Sequence, residues 1–250
     1  MKRLNFILLV TFLLSISYGY SQANNPDSAT TKKPATSTTA NDFRPFRIGV
    51  YGDLGVSWMD PKSERYTKNG SRLVAGWGLV FDLNFTENYT FSSGFSLGGY
   101  GGSLEYKHML TDSTVGIMDR KYKIKYIDIP LNLKLKTNQI GYFTYFFQIG
   151  LNNSFRLSAT SDDVFTTVQS SGGSYARKDV DIVGSTSLYR LSFNVGAGAE
   201  YQISKSFSAF AIIGFNNGLL NSLSGQNTFD PAIKENAIIN RVSLTAGFLF

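Results

Sequence analysis

The sequence predicts an all-β protein, an eight-stranded antiparallel up-and-down transmembrane β-barrel. Three observations predict it. Apolar and small polar residues alternate with a period of two in eight segments, the connections alternate between short and long, and charged residues make up only 17% of the chain. Soluble domains typically hold about 25% charged residues. Alternating segments separated by turn residues are typical of strands that cross a membrane.

Residues 1–21 predict a secretory signal peptide. A basic start precedes the apolar core Leu4–Ile16, and Gly19 and Ser21 are the small residues that cleavage before Gln22 requires. The apolar run is shorter than the ~20 residues of a spanning helix, which favours a cleaved signal over a membrane anchor.

Residues 22–42 predict a disordered linker. The stretch is rich in Thr, Ser, Pro and Lys and holds almost no large apolar residue, so burial cannot offset its chain entropy. The barrel domain is therefore expected over residues 43–250.

Eight strands follow in order, with one apolar and one small polar face; only in Phe207–Phe215 do Phe210 and Ile212 interrupt the polar face. The predicted strands are Phe46–Trp58, Leu73–Phe85, Tyr89–Tyr100, Ile127–Leu135, Phe143–Leu157, Tyr189–Ile203, Phe207–Phe215 and Val242–Phe250. The clean segments match the ~9–11 residues that a tilted membrane strand needs.

The predicted connections alternate in length. Short turns are expected at Thr86–Asn88, Lys136–Gly141 and Ser204–Ser206. Long polar loops are expected at Met59–Arg72, Gly101–Lys125, Ser158–Leu188 and Asn217–Asn236. An even strand count places both termini at the short-turn rim, which is periplasmic in outer-membrane barrels.

The composition of the two faces decides which one is outside. A soluble lipocalin-type barrel would have an apolar interior and a charged exterior. Here the non-apolar face is mostly Gly, Ser, Thr and Asn, which suits a narrow lumen, while the other face is almost without charge. In water that face would be a very large exposed apolar surface, whereas lipid requires it.

The overall charge and the absence of cysteine exclude several classes. The formal charge is +6, but no Lys/Arg-rich run of the kind that binds nucleic-acid phosphates is present. The chain has no cysteine, which excludes disulfides, a lipidated cysteine and thiolate metal sites. No residue pattern predicts a cofactor or a metal site.

Aromatic residues near the strand ends predict girdles at the two membrane interfaces. They are Phe46, Trp58, Phe85, Tyr89, Tyr142, Phe143, Tyr201, Phe207 and Phe250. The alternative is that aromatic residues simply favour strands.

Charges on the inward face predict a salt-bridged lumen. The network comprises Arg47, Asp53, Asp82, Asp128, Lys134, Glu200 and Arg241, with Arg156 and Arg190 also inward. Closure makes the first and last strands neighbours, which would allow Arg241 to pair with Asp53. Because an unpaired buried charge costs several kcal/mol, near-balance of charge predicts a packed lumen without an open pore.

Three lysines are candidate contacts for lipopolysaccharide. Lys121, Lys123 and Lys125 share one side of a strand just above the apolar band, where they would meet lipopolysaccharide phosphates. The alternative is a solvated extension of the strand.

His108 is the only histidine, with Ser103 and Ser113 nearby in sequence. A lipid-modifying enzyme would need such a base and nucleophile in defined geometry, and the sequence favours an ordinary loop histidine. The glycine-rich Gly94–Gly102 has no strand–turn–helix context for a phosphate loop, so it predicts bending or close packing in the barrel wall.

The chain resembles the PorT-type outer-membrane β-barrel family. The resemblance rests on the signal peptide, the eight strands, Tyr126-Ile127-Asp128-Ile129-Pro130-Leu131 and the terminal Phe250, and it covers Phe46–Phe250. More loosely, the chain resembles the small OmpA/OmpX-type barrels. These resemblances imply an outer-membrane location, recognition of the terminal aromatic by the barrel-assembly machinery, and lipid and lipopolysaccharide as neighbours.

Three functions remain open from the sequence. The first is a non-enzymatic barrel that presents surface loops to envelope, adhesion or secretion-system partners. The second is a narrow or gated transport barrel, and the third is a lipid-modifying enzyme built on His108. The loops hold most of the undetermined function, since loops carry recognition on rigid scaffolds.

Overall fold

The computed structural model of the chain describes residues 43–110, 114–167 and 173–250. The predicted signal peptide 1–21 and linker 22–42 lie outside these residues, as does Ser113. Among the described residues, no helix has the length and apolarity needed to cross a membrane.

The described residues form nine β-strands and one 3-10 turn at Val183–Ser185. The strands are β1 (Phe46–Pro61), β2 (Tyr66–Asn84), β3 (Tyr89–Met109), β4 (Val115–Lys136), β5 (Phe143–Thr167), β6 (Ser174–Asp181), β7 (Tyr189–Ser204), β8 (Phe207–Gly218) and β9 (Ala237–Leu249).

Eight of these strands close into an antiparallel ring in the order β1–β2–β3–β4–β5–β7–β8–β9. The pairing of β9 with β1 completes the ring, with Leu54 opposite Leu244. The predicted eight-stranded up-and-down barrel is confirmed. The ninth strand, β6, pairs only with the far end of β5, within the segment that was predicted to be the loop Ser158–Leu188.

The three short turns are confirmed, but three of the four predicted long loops are wrong. β1 and β2 are separated by only four residues, 62–65, and β3 and β4 by five, 110–114. β5 extends to Thr167, and β6 follows at Ser174–Asp181. Most of the predicted loops Met59–Arg72, Gly101–Lys125 and Ser158–Leu188 therefore belongs to strands, which form a tall rim on the side away from the short turns. The sequence pattern hid this because the inner and outer faces exchange character along the strands.

The exchange is clearest on β4. Ile127 and Leu131 point outward with Asp128 and Asn132 inside, as a lipid-facing wall requires. Farther along, Lys125 points outward and the buried apolar residues point inward, as in a barrel surrounded by water. The period of two continues without interruption, so the strand extends although its faces have changed roles.

The tall rim consequently has its own apolar core. Its buried members are Met59, Tyr66, Tyr100, Leu104, Tyr106, Met118, Tyr122, Ile124, Tyr126, Ala159, Phe165, Ile182, Leu223, Ala237 and Ile239. Outside the barrel, nearer the short turns, large apolar residues are exposed instead: Leu54 is 68% and Leu73 82% exposed. These two arrangements divide the wall into a lipid-facing band and a rim stabilised from within.

Candidate functional site

A layer of charges crosses the lumen near the short-turn rim. Arg47 donates two hydrogen bonds to Glu200, at 2.8 and 3.0 Å, and lies 3.6 Å from Asp82. Lys134 Nζ lies 2.9 Å from both carboxylate oxygens of Asp82, and Lys136 Nζ lies 3.3 Å from Glu200. Each buried carboxylate thus contacts two cations, which offsets the cost of removing it from water.

This layer brings together four residues of the predicted network. Arg47 and Asp82 are register partners on β1 and β2, whereas Lys134 reaches Asp82 from β4. β3 lies between, and its residue at that level, Ser92, is buried and small enough to leave room. The sequence prediction omitted Lys136, although it continues the inward face of Lys134 at a spacing of two.

A second layer surrounds Tyr100 at mid-height. Arg241 forms an ion pair with Asp53 across the β1–β9 closure. The guanidinium groups of Arg190 and Arg241 lie 4.6 and 5.2 Å from the centre of the Tyr100 ring, and the Tyr100 hydroxyl donates to Asp128 at 2.8 Å. A single aromatic ring therefore links the cations of β7 and β9 to the carboxylate of β4.

A polar cavity of about 120 Å³ lies between the two layers. Its polar lining consists of Ser92, Ser93, Ser96, Asn132, Gln148, Asn152, Asn194, Asn216, Ser243 and Thr245 with the charges Asp53, Asp128, Lys134 and Arg241. Phe210 and Ile212 line it from the short-turn side, in a buried cluster with Val80, and Tyr100 lines it from the other. Such a lining suits several water molecules, and apolar side chains bound it on both sides.

The connection between β8 and β9 folds into the mouth of the tall rim. Leu223 is buried in the rim core, and the Glu235 N–H donates to the Gly225 carbonyl at 3.0 Å. The Tyr66 hydroxyl donates to the Glu235 carboxylate at 3.1 Å and accepts from Asn227 at 2.9 Å. Burial raises the pKa of Glu235 above its ordinary value. We name residues 219–236 the mouth loop.

The mouth loop corrects the expectation of an exposed polar loop at Asn217–Asn236. Its apolar residues Leu223 and Ile233 pack in or against the rim core. An ion pair that sequence reasoning also missed lies in the rim wall, where Arg120 holds Asp163 through bonds of 2.8 and 2.7 Å. Both lie in segments that were predicted to be loops.

The structure places His108 and Ser103 apart. His108 Nδ1 lies 2.8 Å from Thr228 Oγ1 at the mouth, and its ring packs edge-on against Tyr106 and Phe165. Ser103 lies on the opposite face of β3, five residues away. No base and nucleophile are formed by this pair, and Gly94–Gly102 lies within β3 as wall.

The three lysines of β4 point outward. Lys123 lies 2.6 Å from Asp162 and 3.1 Å from Asp179. Lys121 and Lys125 form no salt bridge with the residues that the structure describes. Their contact with lipopolysaccharide stays a prediction.

Aromatic side chains pack together on the outside of the barrel near the short turns. Tyr142 and Phe143 contact Tyr201, at 6.0 and 5.0 Å between ring centres, and Phe207 contacts Phe250 at 5.2 Å. This is the arrangement expected of an interfacial girdle.

Comparison with solved structures gives matches of low sequence identity. Neisserial surface protein A is 9% identical with a TM-score of 0.41, over 81% of this chain and 95% of that one. The outer membrane protein OprG from Pseudomonas aeruginosa is 12% identical with a TM-score of 0.41, over 84% and 97%. Ail, the attachment invasion locus protein of Yersinia pestis, is 14% identical with a TM-score of 0.30, over 81% and 98%.

Sequence comparison gives the family. A comparison with curated proteins gave no match. The model of the family described as outer membrane protein beta-barrel domain matches residues 17–224, which is more than half of the chain and includes most of the ring of strands. The chain belongs to the outer membrane protein beta-barrel family and is an outer-membrane barrel.

Proposed function

We propose that this protein is a closed, non-enzymatic barrel that presents its tall rim to partners at the cell surface. The observation that carries the proposal is the buried apolar core inside the rim, with the mouth loop folded over it. A rim stabilised from within is a rigid platform, and rigid platforms that display loops are suited to recognition.

The lumen supports a closed barrel over a transport role. Its charges pair with one another, as between Lys134 and Asp82, and apolar clusters lie on both sides of the polar cavity. Purified protein in planar bilayers is expected to give no stable open steps. Reproducible steps from the unaltered protein would contradict the proposal and favour a transport barrel.

The proposed orientation places both termini in the periplasm and the tall rim outside. Because the chain has no cysteine, single cysteines report on exposure without background. Gly184→Cys, where the added Cβ meets no atom within 4 Å, is expected to react in intact cells with a membrane-impermeant maleimide. Lys205→Cys at a short turn is the matched control and should react only after lysis. The reverse pattern would overturn the orientation.

The partners that we propose are lipopolysaccharide around the wall, the barrel-assembly machinery during insertion, and other envelope or secretion proteins at the rim. The PorT-type resemblance of Tyr126–Leu131 is the finer family assignment that we propose. Cross-linking in intact cells from the rim position Lys178, followed by identification of bound proteins, tests the rim partners. Recovery of the same adducts from the periplasmic position Lys205 would contradict a rim-specific interaction.

A further inference from the structure

The barrel wall is interrupted between β2 and β3. The two strands pair up to Gly70 opposite Ser103 and again from Gly76 opposite Gly98, with no pairing between these points. Register is lost over the residues in between, so the edge of β2 there lacks its ladder partner.

β3 passes inward at this interruption. The Ser57 hydroxyl of β1 donates to the Gly101 carbonyl at 2.9 Å, and the Gly101 N–H donates back to it at 3.1 Å. A Cβ on Gly102 would lie 2.6 Å from the Met59 nitrogen, so only glycine permits this approach. A Cβ on Gly99 would meet Val74 of β2 at 3.3 Å. β2 therefore lies over the outer side of β3.

The overlap leaves a cleft of about 670 Å³ on the barrel surface, which we name the β2–β3 cleft. Apolar side chains form much of its lining: Leu73, Val74, Trp77, Leu97 and Leu157. Leu73 is 82% and Trp77 61% exposed. The volume lies within the usual range of ligand pockets.

The charges that line the cleft are mostly basic. Arg72, Lys123 and Lys125 line it with one acid, Asp179. Lys123 is compensated by its ion pairs with Asp162 and Asp179. Arg72 and Lys125 form no salt bridge within the described part of the chain, although Asp162 also attracts Arg72. Two cations without an ion-pair partner thus lie beside an apolar surface.

The cleft lies where the outer wall changes from apolar to basic. On β4 this change occurs between Ile127 and Lys125. Hydrocarbon next to an unpaired strand edge is costly, and a ligand with both an apolar tail and hydrogen-bonding oxygens would satisfy both parts of the cleft. Arg and Lys together suit phosphate oxygens.

We propose that the β2–β3 cleft binds one acyl lipid of the surrounding leaflet whose headgroup carries an anionic phosphomonoester. An acyl chain lies along Leu73, Trp77 and Leu157, and the phosphate contacts Arg72 and Lys125. The inference rests on the proposed membrane-embedded barrel and adds a lipid site to it.

Trp77 reports on the cleft, because the chain has only two tryptophans. The second, Trp58, contacts Phe215 and Lys68 outside the cleft. In Trp58→Phe protein, vesicles of phosphatidylcholine with 10% brominated phosphatidic acid are expected to quench Trp77 roughly three or more times as strongly as vesicles with 10% brominated phosphatidylcholine, because two cations bind an anionic phosphomonoester more tightly than a zwitterionic choline headgroup.

The double variant Arg72→Gln/Lys125→Gln should lower this quenching ratio to about one. Lys121→Gln, on the same face of β4 but outside the cleft, is the matched control and should keep the ratio. The Trp77→Phe protein, which retains Trp58, should show no preference. Equal quenching by the two lipids in the Trp58→Phe protein would overturn the proposal. Loss of the preference in 10 mM inorganic phosphate would assign the site to free phosphate instead.

Failure of the lipid site is distinguishable from failure of the barrel proposal. Conductance and the labelling of Gly184→Cys report on the closed, oriented barrel and do not involve Arg72 or Lys125. A barrel that stays closed and labels from outside, yet shows no lipid preference, would lose only the cleft assignment.

Discussion

Arg47 of β1 and Glu200 of β7 hold each other through two hydrogen bonds, although β8 and β9 lie between their strands in the ring. This contact ties opposite parts of the wall together through the lumen. The Glu200 carboxylate also pairs with Lys136, so it compensates two cations.

Glu200→Gln is expected to destabilise the barrel by about 3 kcal/mol, because removing one partner leaves buried cations uncompensated. Equilibrium unfolding in lipid vesicles with urea measures the change. Glu64→Gln, in the exposed turn between β1 and β2, is the matched control and should change stability by less than about 0.5 kcal/mol. Equal effects of the two substitutions would argue against the charge layer.

Leu104→Ala is expected to lower the free energy of unfolding by about 2–5 kcal/mol, since it opens a cavity in the rim core. Leu104 is fully buried there. Leu54→Ala on the lipid face, where the side chain is 68% exposed, should cost much less because lipid fills the space. Urea unfolding gives both values, and protease digestion should cut the rim of the Leu104→Ala protein first. A rim that stays resistant would show that its core is dispensable.

Gly101→Ala is expected to impair folding. Gly101 has φ = +146°, a conformation that L-residues rarely adopt, and a Cβ there would collide with the Tyr122 carbonyl oxygen. We expect the free energy of unfolding to fall by about 1–3 kcal/mol, which gels would show as a smaller fraction of heat-modifiable folded protein. Gly184→Ala, with open space at its Cβ, is the control and should fold normally; a normal yield from both would contradict the close approach of β3.

The mouth loop should open more readily as the pH rises. The folded-state pKa of Glu235 is raised by burial, so the closed loop holds a proton that the open loop releases. Closure is therefore strongest below the ordinary glutamate pKa and weakens as pH rises from there through the raised value. Hydrogen exchange of mouth-loop amides, corrected for intrinsic rates, should show protection falling as the pH rises above the ordinary glutamate pKa of 4.5.

Glu235→Gln is the test of that cause. Glutamine keeps an acceptor for the Tyr66 hydroxyl but has no proton to lose, so the pH dependence should largely disappear and protection at pH 7.5 should rise. If the variant keeps the full pH dependence, another group controls the loop.

The number of strands in the ring and its closure could be predicted from the sequence, because lipid requires outward apolar and inward polar residues on every strand that crosses the membrane. The rim could not be predicted in this way, since its outward residues are polar and its inward residues are apolar. The outward positions of β4 are Lys121, Lys123 and Lys125, followed by Ile127 and Ile129. One face of the strand thus passes from water to lipid, and an unbroken period of two across this change predicts the longer strand.

The contacts between charged side chains were harder to predict from the sequence than the set of charges that face the lumen. Inward residues such as Lys134 can be assigned from alternation, but a contact across an intervening strand depends on tilt and side-chain reach. The β2–β3 cleft depends on lost register, which local pattern does not encode. The run Gly98-Gly99-Tyr100-Gly101-Gly102 was its one local sign.

The reversal of faces on β4 also constrains how the barrel assembles. A slip of one residue against β3 would turn Asp128 toward lipid and would also bring Lys125 into the apolar core of the rim. Each long strand therefore carries two separate penalties for misalignment, one from each solvent it meets.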